Sequence, residues 1–591
     1  MVKGLYALRD PRVLLQDRPG EKHLLLGNEA IARGALEAGV HVVTTYPGTP
    51  ASEIGDTVSQ IADDAGIYME YSTNEKVAME VAAGASLSGA RALTAMKMVG
   101  LNVASDVLVA LGYTGARGGL VVVSADDPDC FSSQDEQDNR YYALLANIPC
   151  LEPSNPQEAL EMTLSAFEMS EELQLPVILR MVTRVSHTRG IVTFGRIQKR
   201  KTGTFVRDPK RLVNVPENAR GSHRILLEKM DRAQAISERS VYNKISGTGE
   251  FGLVTSGVSY NYCVEALQLI GATARMLKIG VVNPPPTRLI LEFLRSIQEV
   301  AVVEELEPIL ENQVRIVAGE LDGRIAVHGK KEGFFPRYGE LSVRLVAAGL
   351  AKILGRSLPF NYEDIVRKTT EAAKITPPRP PMLCPGCPHT ASFRAIKAAT
   401  EGKAIVATDI GCYTLGFQPP LSVGDIFLCM GASAGLAAGF SRFTNNPVLG
   451  VVGDSTFLHG SIPGLINAAY NNHKFVYVVL DNMTTAMTGH QPHPGTGTTA
   501  TGKLTKRILI EDVAKACGIE YVRVVDPFEH KTAVQTIQEA LRQEGPSVVV
   551  FRRPCVQIKA PAEIWAGSIA ESLPTDAQND KRNLRSHSNG A

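Results

Sequence analysis

Apolar and polar positions divide the chain into three stretches of alternating helices and short strands. Between Leu24 and about Arg189, helical segments alternate with the apolar runs HVVTTYP (41–47), ARALTAMKM (90–98), GLVVVSAD (119–126) and PVILRMV (176–182). This rhythm predicts parallel strands joined by crossover helices, a doubly wound sheet over residues 23–190. Residues 1–22 are polar and read as an arm, and residues 191–248 are basic, weakly periodic and read as a linker. A second, smaller unit over 249–370 has FGLVTSG (251–257), ARMLKIGVVNPPP and EVAVVEEL as strands and YNYCVEALQLIGA as a helix. The proline-rich TPPRPPMLCPGCP (376–388) marks a boundary, and a third unit occupies 371–560. Its expected strands are AIVATDIG, DIFLCMGA, VLGVVGD, FVYVVLDN and SVVVFRRP, and residues 561–591 have the composition of a disordered tail. The fold class is therefore α/β, with three doubly wound domains.

Composition narrows the partners. Lys plus Arg (61) equal Asp plus Glu (61), so the net charge is zero and no basic excess points to nucleic acid or an anionic membrane. No uncharged apolar run reaches the ~20 residues of a membrane span. The N-terminus MVKGLYALRDPRVLLQ lacks a signal-peptide core, so the expected location is cytoplasmic. Nine cysteines, an odd number, argue against a disulfide framework and for buried thiols plus a metal or cluster site.

The sharpest chemical signal is in the third unit. Gly453-Asp454-Ser455 closes the run VLGVVGD, and after 25 intervening residues Asp481-Asn482 closes FVYVVLDN. Both pairs fall at the carboxyl ends of strands, where open α/β sheets bind ligands. A magnesium ion takes about six oxygens. Asp454 offers a carboxylate, Asn482 an amide oxygen and Thr484 a backbone carbonyl, and a diphosphate would supply two more oxygens. Gly453 would let the backbone approach phosphate, and a helix starting near Gly460–Leu465 would aim its N-terminus at the charge. Two unrelated strand–turn–helix connections are the plainer alternative. The motif resembles that of thiamine-diphosphate enzymes, with Ser455 and Asp481 departing from the usual glycine and asparagine.

Thiamine needs a carboxyl group on its aminopyrimidine ring. In STNEKVAMEVAAGASLSGARALTAMKMVGLN (72–102), Glu75 opens a helix behind the cap candidates Ser72, Thr73 and Asn74. A dipole-favoured first-turn glutamate is the alternative. YPGTPASEI (46–54), GNEAIARGALEAGV, VSADDPD (123–129) and SSQDEQDNR accompany it. Together these segments resemble the indolepyruvate branch of the 2-oxoacid:ferredoxin oxidoreductases, over roughly residues 22–560. The resemblance implies a pyrimidine domain (23–190), a transketolase C-terminal-like domain (249–370) and a diphosphate domain (371–560). It makes Glu75 the pyrimidine carboxyl, puts Thr49 near the substrate and puts Leu415 under the bent cofactor.

Cys384-Pro-Gly-Cys387, Cys412 in DIGCYTLG and Cys555 in FRRPC resemble the family's ligands for a [4Fe–4S] cluster, while four such thiols also suit zinc. His389 either donates to a cluster sulfur or simply packs. The implied reaction is oxidative decarboxylation of an aryl 2-oxoacid, with coenzyme A accepting the acyl group. Electrons would pass through the cluster to ferredoxin or another iron–sulfur carrier. A small beta subunit carrying the gamma domain and a dimer of heterodimers are implied as well. The alternatives are a non-oxidative thiamine-dependent decarboxylase and a non-catalytic electron-transfer subunit. The chain departs from the branch in having no cysteine after Cys555, and hence no ferredoxin-like module, in Thr390 for arginine and in Met98 for histidine. Gly431-Ala-Ser433-Ala-Gly435 matches a hydrolase elbow without an ordered acid and histidine behind it. His490 and His493 read as a loop over the active site near the diphosphate motif.

Overall fold

A computed structural model describes residues 8, 10–199, 202–321 and 325–558. The expectations for residues 1–7, 9 and 561–591 lie outside the described residues. The chain forms two compact units, 5–377 and 378 onward.

The larger unit holds two large sheets and a two-stranded antiparallel ribbon, Lys22–Leu26 with Arg189–Thr193. In the first, the parallel strands Tyr68–Tyr71, Val42–Thr45, Ala92–Lys97, Leu120–Asp126, Val177–Val182 and Cys150–Leu151 lie side by side in that order, and Val281–Asn283 adds antiparallel to the last. Strands Leu120–Asp126 and Val177–Val182 are buried throughout, as expected of a sheet covered on both faces. In the second sheet, Ala326–His328, Glu299–Val303, Phe251–Ser256 and Arg275–Ile279 run parallel, with Lys244–Ser246 antiparallel at the edge. One apolar core joins the sheets: Ala92, Leu120 and Ile178 of the first belong to the same cluster as Val254, Leu277 and Val300 of the second. The segment expected as a linker carries a 23-residue helix, Pro216–Glu238. Its buried positions are Ser222, Leu226, Lys229, Ala233 and Ser237. They share one face by spacing, but most are small or polar, so no apolar period marks the helix in the sequence.

A buried ionic network also ties the two sheets. Arg180 pairs with Asp126 (2.8 Å) and Glu152, while Arg140 pairs with Asp138 and with Glu304 (2.7 Å). Arg140 also donates to the carbonyls of Glu305 (2.9 Å) and Glu307 (3.0 Å).

In the smaller unit, Ile405–Thr408, Val448–Gly453, Val476–Asp481, Ser547–Arg552 and Tyr521–Val525 form an all-parallel sheet in that order. DIFLCMGA, expected as a strand, is not one. Ile426 makes a single bridge to Ala407, and the segment then leaves the sheet edge, with Leu428 exposed, to enter the helix Ala432–Phe440. Among the described residues, no helix is long and apolar enough to cross a membrane.

Candidate functional site

The third sheet places chemistry along one edge. Cys412, Asp454, Asn482 and Cys555 follow the carboxyl ends of Ile405–Thr408, Val448–Gly453, Val476–Asp481 and Ser547–Arg552, four consecutive neighbours in the sheet. Residues far apart in sequence thus share the rim where parallel sheets bind ligands.

Asp454 is buried. Its Oδ1 accepts from the Ser455 N–H (2.7 Å) and its Oδ2 from the Met483 N–H (2.7 Å). His493 Nε2 lies 3.2 Å from Oδ2. Burial pushes the Asp454 carboxyl up, but His493 and the two N–H groups outweigh it and hold it below its usual range. His493 in turn is raised: Asp454 and Asp481 overcome its own burial. Asp481, which replaces an asparagine of the usual motif, accepts from Arg552 Nε at 2.7 Å and from the Met483 N–H at 3.2 Å. Arg552 also binds both oxygens of Glu511 (3.0 and 2.6 Å). Asp481 is therefore a brace that fixes the loop carrying its neighbour Asn482. Met483 has φ +63, a left-handed conformation uncommon outside glycine, between Asn482 and Thr484. The Asn482 amide lies 3.3 Å from His389 Nε2, and burial pushes His389 down to about 4, leaving it neutral. A carboxylate, an amide oxygen and a backbone carbonyl are the hard donors that magnesium takes, so this rim fits a magnesium diphosphate.

Two details differ from the sequence expectation. Helical structure begins at Asp454, running through 454–456, 457–461 and 462–470, so the first helical turn lies at Asp454–Thr456 rather than near Gly460. At Gly453, a Cβ would meet the Tyr413 ring at 2.6 Å, so packing of that ring demands the glycine. Ser455 is buried and its Oγ lies 3.1 Å from Thr485 Oγ1. Thr484 is buried, and Leu415 is half-buried in the short helix Cys412–Phe417.

The four thiols are mutual neighbours. Burial, and then Cys387, Cys555 and Cys384, push Cys412 up to about 12; burial, with Cys555 and Cys384 contributing, pushes Cys387 up to about 11. The Cys387 N–H donates to the Cys384 carbonyl (3.0 Å), and the Cys555 N–H to that of Asn482 (3.0 Å), which ties the last thiol to the diphosphate rim. By residue type, four thiols suit an iron–sulfur cluster or a zinc ion. Among the described residues, no group of three or more His, Cys, Asp or Glu side chains is arranged to hold a single metal ion.

Ser433 of the hydrolase-like pattern is structural. It hydrogen-bonds Asp409 and lies 2.9 Å from the Tyr477 hydroxyl, with no imidazole among its described partners. Burial pushes Asp409 up to about 6. The second imidazole of the His490/His493 pair is the residue that sequence reasoning underweighted: only the fold brings it onto Asp454.

In the larger unit, the loops after Tyr68–Tyr71, Val42–Thr45, Ala92–Lys97 and Leu120–Asp126 line the corresponding edge of the first sheet. Asn74 caps the helix Glu75–Leu87 by accepting from the Val77 N–H (2.9 Å). Glu75 is only 4% exposed. A Cβ on Gly100 would lie 2.5 Å from Glu75 Oε1, so the glycine gives the carboxyl its room. The Thr49 carbonyl accepts from Ser132 Oγ at 3.4 Å, and Asn28 Nδ2 holds the adjoining Pro50 carbonyl at 2.7 Å. Lys97, a site-edge cation that the sequence reading did not single out, donates to the Ser132 carbonyl. Burial lowers its pKa against the pull of Asp127 and Asp135.

Residues 33–224 match the family "Pyruvate flavodoxin/ferredoxin oxidoreductase, thiamine diP-bdg", and residues 409–551 match "Thiamine pyrophosphate enzyme, C-terminal TPP binding domain". "Indolepyruvate oxidoreductase subunit IorA" of Archaeoglobus fulgidus is 46% identical over 572 residues, covering 95% of this chain and 91% of the relative. The protein of the same name from Thermococcus kodakarensis is 48% identical over 570 residues, covering 93% and 88%. Among solved structures, 2-oxoglutarate:ferredoxin oxidoreductase from Magnetococcus marinus is similar with TM-score 0.45 and 15% identity, over 56% of this chain and 65% of that one.

Proposed function

The chain belongs to the IorA family of indolepyruvate oxidoreductase subunits, thiamine-diphosphate-dependent 2-oxoacid oxidoreductases, and from that premise we propose that it oxidatively decarboxylates an aryl 2-oxoacid of the indolepyruvate or phenylpyruvate type. The acyl group passes to coenzyme A and the electrons leave through a [4Fe–4S] cluster. The observation that carries this reading is the single rim on which Cys412, Asp454, Asn482 and Cys555 follow neighbouring strands.

Bound thiamine diphosphate supplies a nucleophilic carbon and an electron sink for loss of carbon dioxide. The cluster supplies one-electron steps. The chain's own residues do the rest. Asp454, Asn482 and the Thr484 carbonyl hold magnesium, with Gly453 and Ser455 beside the diphosphate. Glu75 keeps a proton at the pyrimidine nitrogen. Thr49 sits on the substrate side, and Leu415 supports the cofactor's bend. Cys384, Cys387, Cys412 and Cys555 hold the cluster, and His389, neutral and buried, faces Asn482 without adding charge. Nine free cysteines suit a reducing cytoplasm. A small beta subunit completes the enzyme in a dimer of heterodimers.

Anaerobic purification tests the reading. We expect about four irons with matching sulfide per chain, bound thiamine diphosphate, and dye reduction that depends on an aryl 2-oxoacid and coenzyme A. Iron near zero with aldehyde release would favour the non-oxidative decarboxylase instead.

A further inference from the structure

A cleft of about 880 Å³ opens beside the cysteines in the smaller unit, walled by Cys387, Arg394, Lys397, Phe528 and His530. Its lining includes three basic side chains and no carboxylate. Arg394 and Lys397 project from the exposed face of the helix Pro388–Ala399, which starts immediately after Cys387. Arg394 and His530 have no ion-pair or side-chain hydrogen-bond partner among the described residues, and Lys397 has only the carbonyls of Leu421 (3.0 Å) and Pro420 (3.4 Å). Of the acids flanking Phe528 in sequence, Asp526 pairs with Arg553, while Glu529, between Phe528 and His530, is exposed. Phe528 is 47% exposed, with the Arg553 guanidinium stacked 3.9 Å over its ring. An exposed aromatic ring beside two cations that lack an acidic partner, Arg394 and Lys397, has the composition of a protein-binding surface of one charge sign.

We infer that this basic cleft is the docking surface for a small acidic one-electron carrier of the ferredoxin type, which takes electrons from the cluster at Cys387. The inference rests on the proposed function. Two observations favour this occupant. One is charge: the lining complements an acidic face. The other is position: Cys387 is at once a cleft wall and a proposed cluster ligand, so a carrier seated there meets the cluster's own ligand loop.

The test uses the complete heteromeric holoenzyme carrying Arg394→Glu and Lys397→Glu together. An acidic two-cluster ferredoxin is the probe, and its dissociation constant is measured by anisotropy, independently of turnover. The affinity is expected to fall about tenfold or more, with KM for the carrier rising in parallel and a flatter dependence on ionic strength. Methyl viologen reduction should stay within about twofold of the unsubstituted enzyme, since nothing in the substitutions touches the chemistry. Unchanged carrier affinity overturns the inference. So does a rise in KM for coenzyme A instead, or protection of Lys397 from amine labelling by the small subunit. If the unsubstituted enzyme reduces no viologen with any 2-oxoacid, the proposed function fails, and the binding measurement reports on the cleft separately.

Discussion

Glu75 and Gly100 share one small volume. A methyl group at position 100 would sit 2.5 Å from the carboxyl oxygen, so Gly100→Ala must displace Glu75. Turnover in Gly100→Ala should fall with that of Glu75→Gln, by about 10²-fold or more, while both variants still bind thiamine diphosphate by calorimetry. Normal turnover in Glu75→Gln would remove the residue from its role. In the smaller unit, Asp454→Ala should abolish magnesium-dependent cofactor binding, since no other carboxylate replaces its two buried oxygens. At this scale the chain spelled out a good deal. The Asn74 cap ahead of Glu75, and the pairing of Asp454 with Asn482 after two apolar runs, need only local pattern. His493 on Asp454 and Arg552 on Asp481 were not legible, because nothing local tells an imidazole 39 residues on which carboxylate it will meet.

Elements turn these residues into a rim. Cys412, Asp454, Asn482 and Cys555 are brought side by side because their strands pair in parallel, and parallel strands present all their carboxyl ends to one side. Cys412→Ser should reduce iron per chain sharply while the sheet, whose core does not include Cys412, keeps its melting transition. Arg552 bears on the same rim from below. Arg552→Met leaves Asp481 and Glu511 as buried carboxylates without their cation and should cost about 3–5 kcal/mol in urea unfolding. Equal stability would show that the brace is replaceable. Strands were legible wherever a long apolar run was buried on both faces, as at Val448–Gly453 and Val476–Asp481. DIFLCMGA, equally apolar, failed as a strand because apolar composition does not require that a segment find a neighbour with which to share hydrogen bonds.

Across the larger unit, the buried network couples two sheets and carries more acid than base. Asp126, Asp138, Glu152, Glu304 and Glu305 surround Arg140, Arg180 and Lys330. Burial is the main reason that Asp126 and Glu305 are raised to about 7, while Arg140 and Arg180 overcome the same burial and draw Asp138 down to about 2. A carboxyl raised in the fold contributes stability below its unfolded pKa and loses it as pH rises through the folded value. Stability should therefore fall between pH ~4 and ~8 and level off above, and Asp126→Asn should flatten that fall; a flat profile in the unsubstituted protein would contradict the assignment. Asp138 acts oppositely, losing its contribution only as pH falls from ~4 toward ~2. By itself, the amino-acid sequence determined the α/β class, the main strands and the diphosphate motif at the ends of two apolar runs, because each rests on local periodicity or spacing. Only tertiary structure decided the helix hidden in 191–248, the brace beneath Asn482, the partner of His493 and the shared core of the first two sheets. Those depend on which surfaces meet, and burial can recruit small or charged residues that carry no periodic signal.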